Sequence, residues 1–401
     1  MRTGGWNRRR VDRALFVCAA VAAVTWAGAS AVTGFAASTR DWPAPRAING
    51  AARAPRAPWD PRAAARYLDA RQTWWLGWRR AARDHETSCI SCHTAVPYAL
   101  ARPALRAELH ETAETAPEHR LLENVVKRVR LWNDVEPFYP DQSSGLPKSS
   151  ESRGTEAVLN ALILAMRDAR DGQASDDTRA AFENMWGLQF KTGSLNGAWA
   201  WLNFHLEPWE SDDAAYFGAT LGAIAVGTEP DGYAGRPEIQ ERLTLLREYL
   251  QRTAGSQRLF NRIILLWASA RLPGLLSADA RQSIIDVAWD KQLADGGWTL
   301  PSLGRWKRSD NTALDTLSDG YATGVIAFSL QQAGVSRADP HLAKALAWLV
   351  QHQDRATGMW MASSLNKQRD PASDIGKFMS DAATAFAVLA LTLDHVSSGA
   401  P

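Results

Sequence analysis

The sequence predicts an all-α fold of about a dozen helices arranged in six pairs. Amphipathic stretches of helical period recur from residue 62 towards the end of the chain, whereas alternation of β-branched residues is nearly absent. A motif that combines Gln, Gly and Trp returns at intervals of about 50–60 residues, which is typical of stacked units that bury one shared core. Apolar residues make up 46% of the 401 residues and charged residues 22%, so the chain can form such a core.

The chain begins with a predicted targeting segment, residues 1–39. Four arginines between residues 8 and 13 precede an uncharged, Ala-rich run from Ala14 to Thr39. Such a run is typical of a signal peptide or of a single membrane anchor. Because basic residues stay on the cytoplasmic side, we expect the body to be exported to a periplasmic or other extracytoplasmic compartment. If the segment is not cleaved, residues 14–39 anchor the body to the inner membrane.

A linker is predicted at residues 40–61, which are rich in Pro, Ala and Arg and show no periodicity. The folded body is therefore predicted at residues 62–396. The first 60 residues hold nine Arg against three Asp, so the body is mildly acidic although the whole chain has a net charge of +2. A mildly acidic body lacks the basic surface that nucleic acid requires, and we expect no nucleic-acid partner.

A repeated motif connects the predicted helices. One helix ends in an aromatic residue and a Gln, a Gly-rich loop with a Trp follows, and then comes a helix rich in small residues. Glycines allow tight turns at helix C-termini, a Gln amide can bond free backbone groups there, and a Trp covers the junction. We therefore interpret the motif as structural. The predicted helices are 62–82, 97–110, 117–133, 151–170, 177–190, 211–227, 236–253, 257–271, 278–293, 317–334, 339–353 and 378–395. The clearest motif copies are Trp186–Gln189 with Gly197–Trp199, Trp289–Gln292 with Asp295–Trp298, and Trp348–Gln353 with Gly358–Trp360.

The run Gln292–Trp298, Gln-Leu-Ala-Asp-Gly-Gly-Trp, resembles the Gln–Trp repeat of squalene-hopene cyclases and related terpene cyclases. The β subunits of protein prenyltransferases share that repeat architecture. The resemblance covers roughly residues 62–396 and implies a single (α/α)6 toroid, in which six inner and six outer helices surround a central cavity. The helix count agrees with that fold. Loops at 136–156 and 361–381, together with Asp319–Tyr321, can contribute to one polar pocket at one end of the toroid. For 136–156 the favoured interpretation is a capped loop, in which Ser149 or Ser150 begins the next helix.

A second motif, Cys89-Ile-Ser-Cys92-His93, is the pattern for covalent attachment of c-type haem. Two thiols three residues apart can reach both vinyl groups of one porphyrin, and the adjacent His93 can bind the iron as the proximal ligand. Such attachment happens on exported chains, and the leader independently predicts export. We therefore predict covalent haem c held by Cys89, Cys92 and His93, with a sixth iron ligand that the sequence does not identify.

Three other interpretations of Cys89 and Cys92 stay open. The thiols can form a disulfide, act as a redox-active dithiol, or supply half of a zinc site, although no second Cys pair follows. The motif falls where the first repeat would place its Gly–Trp loop. A haem at this position would be mounted on the toroid itself rather than on a separate cytochrome domain.

A third motif, Glu210-Ser-Asp212-Asp213, follows a Gly-x-Trp segment and precedes a small-residue helix, an order that resembles the Asp-rich motif of squalene-hopene cyclases. The resemblance implies that Asp212 is a protonated general acid, with Glu210 and Asp213 as its partners. Glu210 stands where the family has Asp, Ala214 stands where Thr usually follows, and the chain has room for one toroid where the family has two. A structural alternative is that Ser211, Asp212 and Asp213 cap a helix at 211–227 and complement its dipole.

The leading functional hypothesis is an exported c-type haem protein that transfers electrons or performs haem-dependent redox chemistry on a ligand in the toroid cavity. Its expected partners are a redox protein or a small hydrophobic ligand, and the membrane through the N-terminal segment. The alternative is a proton-initiated terpenoid or polyprenoid cyclase or isomerase that uses Asp212. A third hypothesis is a binding scaffold without chemistry.

Overall fold

Helices account for almost all the regular structure in residues 58–393, the part of the chain that the computed structural model describes. In chain order the α-helices are α1 Pro61–Gly77, α2 Ala95–Glu108, α3 Ala116–Arg130, α4 Lys148–Asp171, α5 Asp176–Gly187, α6 Ala214–Thr228, α7 Gln240–Thr253, α8 Leu259–Arg271, α9 Ala278–Trp289, α10 Leu300–Leu303, α11 Gly320–Gln332, α12 Pro340–His352 and α13 Phe378–Thr392. A short antiparallel hairpin, β1 Ala82–Arg83 and β2 Thr87–Ser88, joins α1 to α2.

Six inner helices form a closed ring. In ring order they are α2, α4, α6, α8, α11 and α13, each packs against the next, and α13 packs back on α2. The outer helices α1, α3, α5, α7, α9 and α12 each pack on an inner helix. The predicted all-α architecture, a single (α/α)6 toroid, is therefore confirmed.

The inner helices α6 and α11 are covered by neighbours on every side. Every residue from Tyr216 to Val226 of α6 is buried, and so is every residue from Gly320 to Gln331 of α11. Small residues let the neighbours approach closely. A Cβ atom on Gly218 would lie 2.1 Å from the ring of Trp201, so only glycine fits beneath that indole.

The Gln side chains of the repeat connect neighbouring units. In three of the units the side-chain amide nitrogen donates to a Gly carbonyl in its own loop and to a backbone carbonyl where the next outer helix begins. The three cases are Gln189 to Gly197 and Arg242, Gln292 to Gly296 and His341, and Gln353 to Gly358 and Asp60. The amides thus satisfy carbonyls that helix ends and turns leave free, as predicted.

The repeat Trp side chains fill the junctions between helices. Trp199, Trp298 and Trp360 are each fully buried. Each indole N–H donates to a carbonyl near the end of the preceding outer helix: Trp199 to Met185, Trp298 to Ala288 and Trp360 to Leu349. The predicted structural role of the repeat is confirmed by this geometry.

Each of the twelve predicted helices has a counterpart, and the differences lie at helix ends. The predicted helix at 62–82 ends at Gly77, because the chain then turns into the β1–β2 hairpin. The predicted helix at 211–227 begins at Ala214, because the preceding three residues belong to a loop. Helix α10 was not predicted, since four residues are too few to show a period.

The predicted targeting segment at 1–39 and most of the predicted linker at 40–61 lie outside the described residues. Within 58–393, no helix is both long and apolar enough to cross a bilayer. Helix α1 begins inside the end of the predicted linker, because the Asp60 side chain accepts a hydrogen bond from the backbone N–H of Ala63 and caps it.

Candidate functional site

The starts of the inner helices meet at one end of the toroid, which we call the mouth. Several side chains connect one helix start to another across it. Thr94 before α2 donates to Asp381 in α13, and Lys148 in α4 donates to the Asn203 carbonyl before α6. Trp209 before α6 donates to Tyr321 in α11. Arg258 before α8 forms ion pairs with Glu207 and Asp213 before α6. The mouth is therefore built from the segments that precede the inner helices.

The predicted haem-attachment motif lies at this mouth, in the loop that enters α2. Cys89 and Cys92 are free thiols, each 6% exposed, and the indole N–H of Trp75 donates to the Cys89 carbonyl at 2.7 Å. Burial raises the pKa of the Cys89 thiol to about 12 and raises the pKa of Cys92 as well. Both thiols are therefore protonated at neutral pH.

His93 is held by aromatic rings on two sides. Its imidazole stacks on Phe378 with ring centroids 3.7 Å apart, and Trp75 meets it edge-on at 5.0 Å. The Nδ1 atom lies 2.8 Å from Oγ1 of Thr94. Burial, with the nearby positive charge of Arg71, lowers the pKa of His93 to about 3, so the ring is neutral.

The donor set of this loop fits the chemistry of haem c. Two thiols can form thioether bonds, and a neutral imidazole can bind iron through one nitrogen. Among residues 58–393, no group of three or more His, Cys, Asp or Glu side chains is arranged to hold a metal ion. Covalent haem c at Cys89, Cys92 and His93 stays a prediction.

Glu210 carries the carboxyl group of the mouth with the fewest partners. Its backbone pairs with Leu206, N–H to carbonyl at 2.9 Å and carbonyl to N–H at 3.0 Å, which fixes a narrow turn before α6. Within the described residues its side chain accepts no hydrogen bond, and burial raises its pKa to about 7 while Lys148 opposes the rise. The negative charge of Glu210 also raises the pKa of Cys89 and Cys92. Glu210 therefore lies close to the cysteine loop.

Asp212 lies on the outer side of the same loop. Its side chain is 74% exposed. Its Oδ1 atom accepts a hydrogen bond from Nδ2 of Asn203 at 2.9 Å and lies 2.8 Å from Nδ1 of His205. These two partners lower its pKa, so Asp212 is ionised at neutral pH. It lacks the burial that a protonated general acid needs.

Asp213 does not act as the predicted helix cap either. It occupies the position before α6, but its side chain makes no capping hydrogen bond. Instead it accepts from the Ser211 hydroxyl at 2.8 Å and pairs with Nε of Arg258 at 3.3 Å. Asp213 thus joins the starts of α6 and α8.

A polar and aromatic rim borders Glu210 on the side of α4. Lys148 donates to Glu151 at 2.7 Å, and Glu151 accepts from the backbone N–H of Asn203 at 3.1 Å. The half-buried rings of Tyr139 and Phe204 meet edge to face, with centroids 5.0 Å apart. The sequence singled out 136–156 as a rim, but Phe204 and Trp209 were missed because an aromatic residue in a loop resembles any core residue.

Asp319 is a second half-buried acid at the mouth, and its oxygens are occupied. Oδ1 accepts from the backbone N–H groups of Tyr321 at 2.8 Å and Ala322 at 3.3 Å, and Oδ2 accepts from Ser363 at 3.1 Å. Burial raises the pKa of Asp319 to about 7, and these three donors oppose the rise. Asp319 is therefore the cap of α11, at the edge of a surface cavity of about 510 Å³ that also contains Met361.

No protein-family model matches the chain, and no curated protein matches it. The chain is similar to the structure of a glycosidase in complex with glucose, at 12% identity and a TM-score of 0.47, over 84% of this chain and 98% of that chain. It is similar to a possible GH105 family member from Klebsiella pneumoniae, at 11% identity and a TM-score of 0.44, over 89% and 98%. It is also similar to a glycosyl hydrolase family 88 protein from Bacteroides vulgatus, at 10% identity and a TM-score of 0.33, over 85% and 92%.

These solved structures are described as a glycosidase, a possible GH105 family member and a family 88 glycosyl hydrolase, and none is described as a cyclase or a cytochrome. Membership in the squalene-hopene cyclase family is wrong. The predicted haem-based electron transfer or redox function is wrong, and so is the alternative of terpenoid cyclisation. The physical reason is visible in the repeat, because Gln and Trp close junctions between helices and carry no chemistry of their own. The predicted partners and export stay predictions.

Proposed function

We propose that this chain is an acid–base enzyme that cleaves a glycosidic bond at the toroid mouth, with Glu210 as the proton donor. The observation that carries the proposal is the Glu210 carboxyl itself. It is half-buried, accepts no hydrogen bond from the described residues, and has a pKa raised to about 7 by burial. A structural carboxylate of this fold is engaged in hydrogen bonds, as Asp319 and Asp213 are.

A carboxyl group with a pKa near neutral is suited to proton transfer. At pH 7 both its protonated and its ionised form are populated, so it can donate a proton and recover it within one cycle. In glycoside cleavage the proton goes to the bridging oxygen, the bond from the anomeric carbon to that oxygen breaks, and water supplies the hydroxyl group. Lys148 lies near Glu210 and favours the carboxylate that remains after donation.

The rim beside Glu210 supports a carbohydrate as the substrate class. A sugar presents hydroxyl groups at its edges and C–H groups on its ring faces, so it binds where hydrogen-bonding groups adjoin aromatic surfaces. The pair Tyr139 and Phe204 offers such a surface, and Glu151 and Asn203 lie next to it on the same side.

The test is turnover of the full-length chain on a panel of oligosaccharides and polysaccharides, measured as release of reducing ends. We expect the Glu210→Gln variant to lose at least about 100-fold in kcat, because Gln keeps the shape and cannot donate the proton. The matched control is Glu183→Gln, which makes the same change at an exposed position of α5. Full activity in Glu210→Gln overturns the role of Glu210, and absence of cleavage across the panel overturns the substrate class.

A further inference from the structure

One amide side chain anchors the turn that carries Glu210 from across the mouth. Oδ1 of Asn366, in the loop before α13, accepts a hydrogen bond from the backbone N–H of Glu207 at 2.7 Å. Nδ2 of Asn366 donates to the Glu207 carbonyl at 2.9 Å. The two residues are 159 positions apart in the chain. Asn366 therefore binds both backbone groups of a residue that lies three positions before Glu210.

Asn366 is itself held in place by the segment that precedes α11. Its backbone carbonyl accepts from the N–H of Ser309 at 2.8 Å and from the Ser309 hydroxyl at 2.9 Å. Two residues earlier in the same loop, the carbonyl of Ser364 accepts from Nε of Arg308 at 2.8 Å, and Arg308 is 5% exposed. The loop can therefore support Asn366 as a fixed point.

The tip of the turn has few other contacts. Arg258 pairs with the Glu207 carboxylate at 2.6 Å, and the indole of Trp209 donates to the Tyr321 hydroxyl at 3.0 Å. Leu206, at the tip, is 37% exposed. Because no core packing covers the tip, its position depends on polar contacts, and exposed turns with few contacts open most easily.

We propose that Asn366 is a positioning residue for Glu210, because it fixes the tip of the turn at Glu207 and so holds the Glu210 carboxyl in one place. Glu210 exchanges two backbone hydrogen bonds with Leu206, the neighbour of Glu207, so a movement of the tip reaches Glu210 through these bonds. A proton donor must lie within hydrogen-bond reach of its target, and a displacement of about 1 Å can lower the rate by about 100-fold. The effect on the rate rests on the proposed function.

A contact that only joins two loops would have a different consequence. Its loss would expose the N–H of Glu207 and leave the pairing of Leu206 with Glu210 intact. Loss of a positioning contact loosens the whole turn, so the N–H groups of Leu206 and Glu210 also become open to solvent. The two roles can therefore be distinguished by hydrogen exchange of these three backbone N–H groups, without any substrate.

The test is hydrogen exchange at single-residue resolution on the full-length chain. We expect Asn366→Ala to speed exchange at Glu207 by at least about 10-fold, the effect of losing a hydrogen bond, and to speed exchange at Leu206 and Glu210 as well. Asn366→Asp keeps the size but turns an oxygen towards the Glu207 carbonyl, so it should speed exchange at the same three groups.

Asn133→Ala is the matched control, because it makes the same change at an exposed position of the loop after α3. In this variant the three N–H groups should exchange at the native rates. Circular dichroism of all variants shows that the toroid is folded.

The kinetic arm uses any saccharide that the native chain cleaves. We expect Asn366→Ala to lower kcat by at least about 10-fold and to change KM by less than about 3-fold, because the rim at Tyr139 and Phe204 is unaltered. Native exchange rates at Leu206 and Glu210 in both Asn366 variants overturn the inference, and so does an unchanged kcat in Asn366→Ala. A native chain that cleaves no saccharide defeats the acid–base proposal alone, since the exchange measurement still decides whether Asn366 holds the turn.

Discussion

Gln353 holds both backbone groups of Asp60, a residue 293 positions earlier in the chain. Its amide nitrogen donates to the Asp60 carbonyl at 2.9 Å, and its amide oxygen accepts from the Asp60 N–H at 2.6 Å. The same amide nitrogen also donates to the carbonyl of Gly358. The repeat Gln joins neighbouring units elsewhere in the toroid. Gln353 joins the last unit to the first and thereby closes the ring.

Removing that link is expected to destabilise the whole ring. Gln353→Ala leaves the Asp60 N–H and two carbonyls without their partner in a site where Gln353 is 4% exposed. We expect a loss of about 2–3 kcal/mol in the free energy of unfolding, measured by chemical denaturation. The control Gln282→Ala removes an exposed amide that donates to Asp286 within α9. This variant should lose only about a few tenths of a kcal/mol in the free energy of unfolding. Equal losses in the two variants would show that the link does not stabilise the ring.

The glycine before each repeat Trp is expected to be intolerant of a side chain where helices meet. A Cβ atom on Gly197, whose φ is +95°, would lie 2.0 Å from the Leu245 carbonyl oxygen. Gly193 has a φ of +80° and nothing within 4 Å, so Gly193→Ala carries the backbone cost alone. We expect Gly193→Ala to cost about 1–2 kcal/mol, and Gly197→Ala about 2 kcal/mol more, by denaturation. Equal losses of stability in the two variants would show that α7 moves away from the new methyl group without destabilising the protein.

A buried ion pair beneath the cysteine loop is expected to be costly to break. Nε of Arg128 lies 2.5 Å from the Glu156 carboxylate, and both side chains are 0% exposed. Glu156→Gln leaves the guanidinium charged and buried, for which we expect about 3–5 kcal/mol of destabilisation. The control is Asp177→Asn, which breaks the pair of Asp177 with Arg130 at the surface and should cost less than about 1 kcal/mol. Thermal and chemical unfolding of both variants measure the two losses in the free energy of unfolding.

The stability of the native protein is expected to depend on pH through Glu210. Its native pKa is raised to about 7 from an ordinary 4.5, so the native state binds more protons than the unfolded chain between these values. Stability therefore falls as the pH rises from 4.5 to 7, by up to about 3 kcal/mol. In Glu210→Gln the part of this decline that comes from Glu210 is absent, while the part that comes from Asp319 remains. The variant should match the native protein near pH 4 and exceed it at pH 8 in unfolding free energy, whereas Glu183→Gln should follow the native curve.

The helices and the repeat could be predicted from the sequence because both depend on local spacing. The period of apolar residues marks each helix, and the Gln and Trp positions recur with the unit they connect. The side chains at the mouth depend on distant contacts instead. The hydrogen bond from Thr94 to Asp381 joins residues 287 positions apart, and no local sequence pattern predicts it.

Glu210, and not Asp212 as predicted, has the raised pKa of a proton donor, and the cause again lies in the folded structure. Both acids lie in one motif, and the resemblance to the cyclase motif implied that Asp212 is the acid. The pairing of Glu210 with Leu206 turns the chain so that Glu210 points inwards and Asp212 lies in solvent. Burial then raises the pKa of one carboxyl, while two hydrogen bonds lower the pKa of the other. The sequence places both acids near the mouth, but the turn decides which one can hold a proton.

The ionisation of Glu210 is the property on which the proposed function depends. It can be measured by isotope-edited infrared titration of the carboxyl band, with Glu210→Gln identifying the signal. The account predicts a protonated carboxyl that titrates with a midpoint near pH 7 and is missing from the variant. A midpoint at the ordinary value near 4.5 would show that Glu210 is ionised like any surface carboxylate, and would contradict its role as the proton donor.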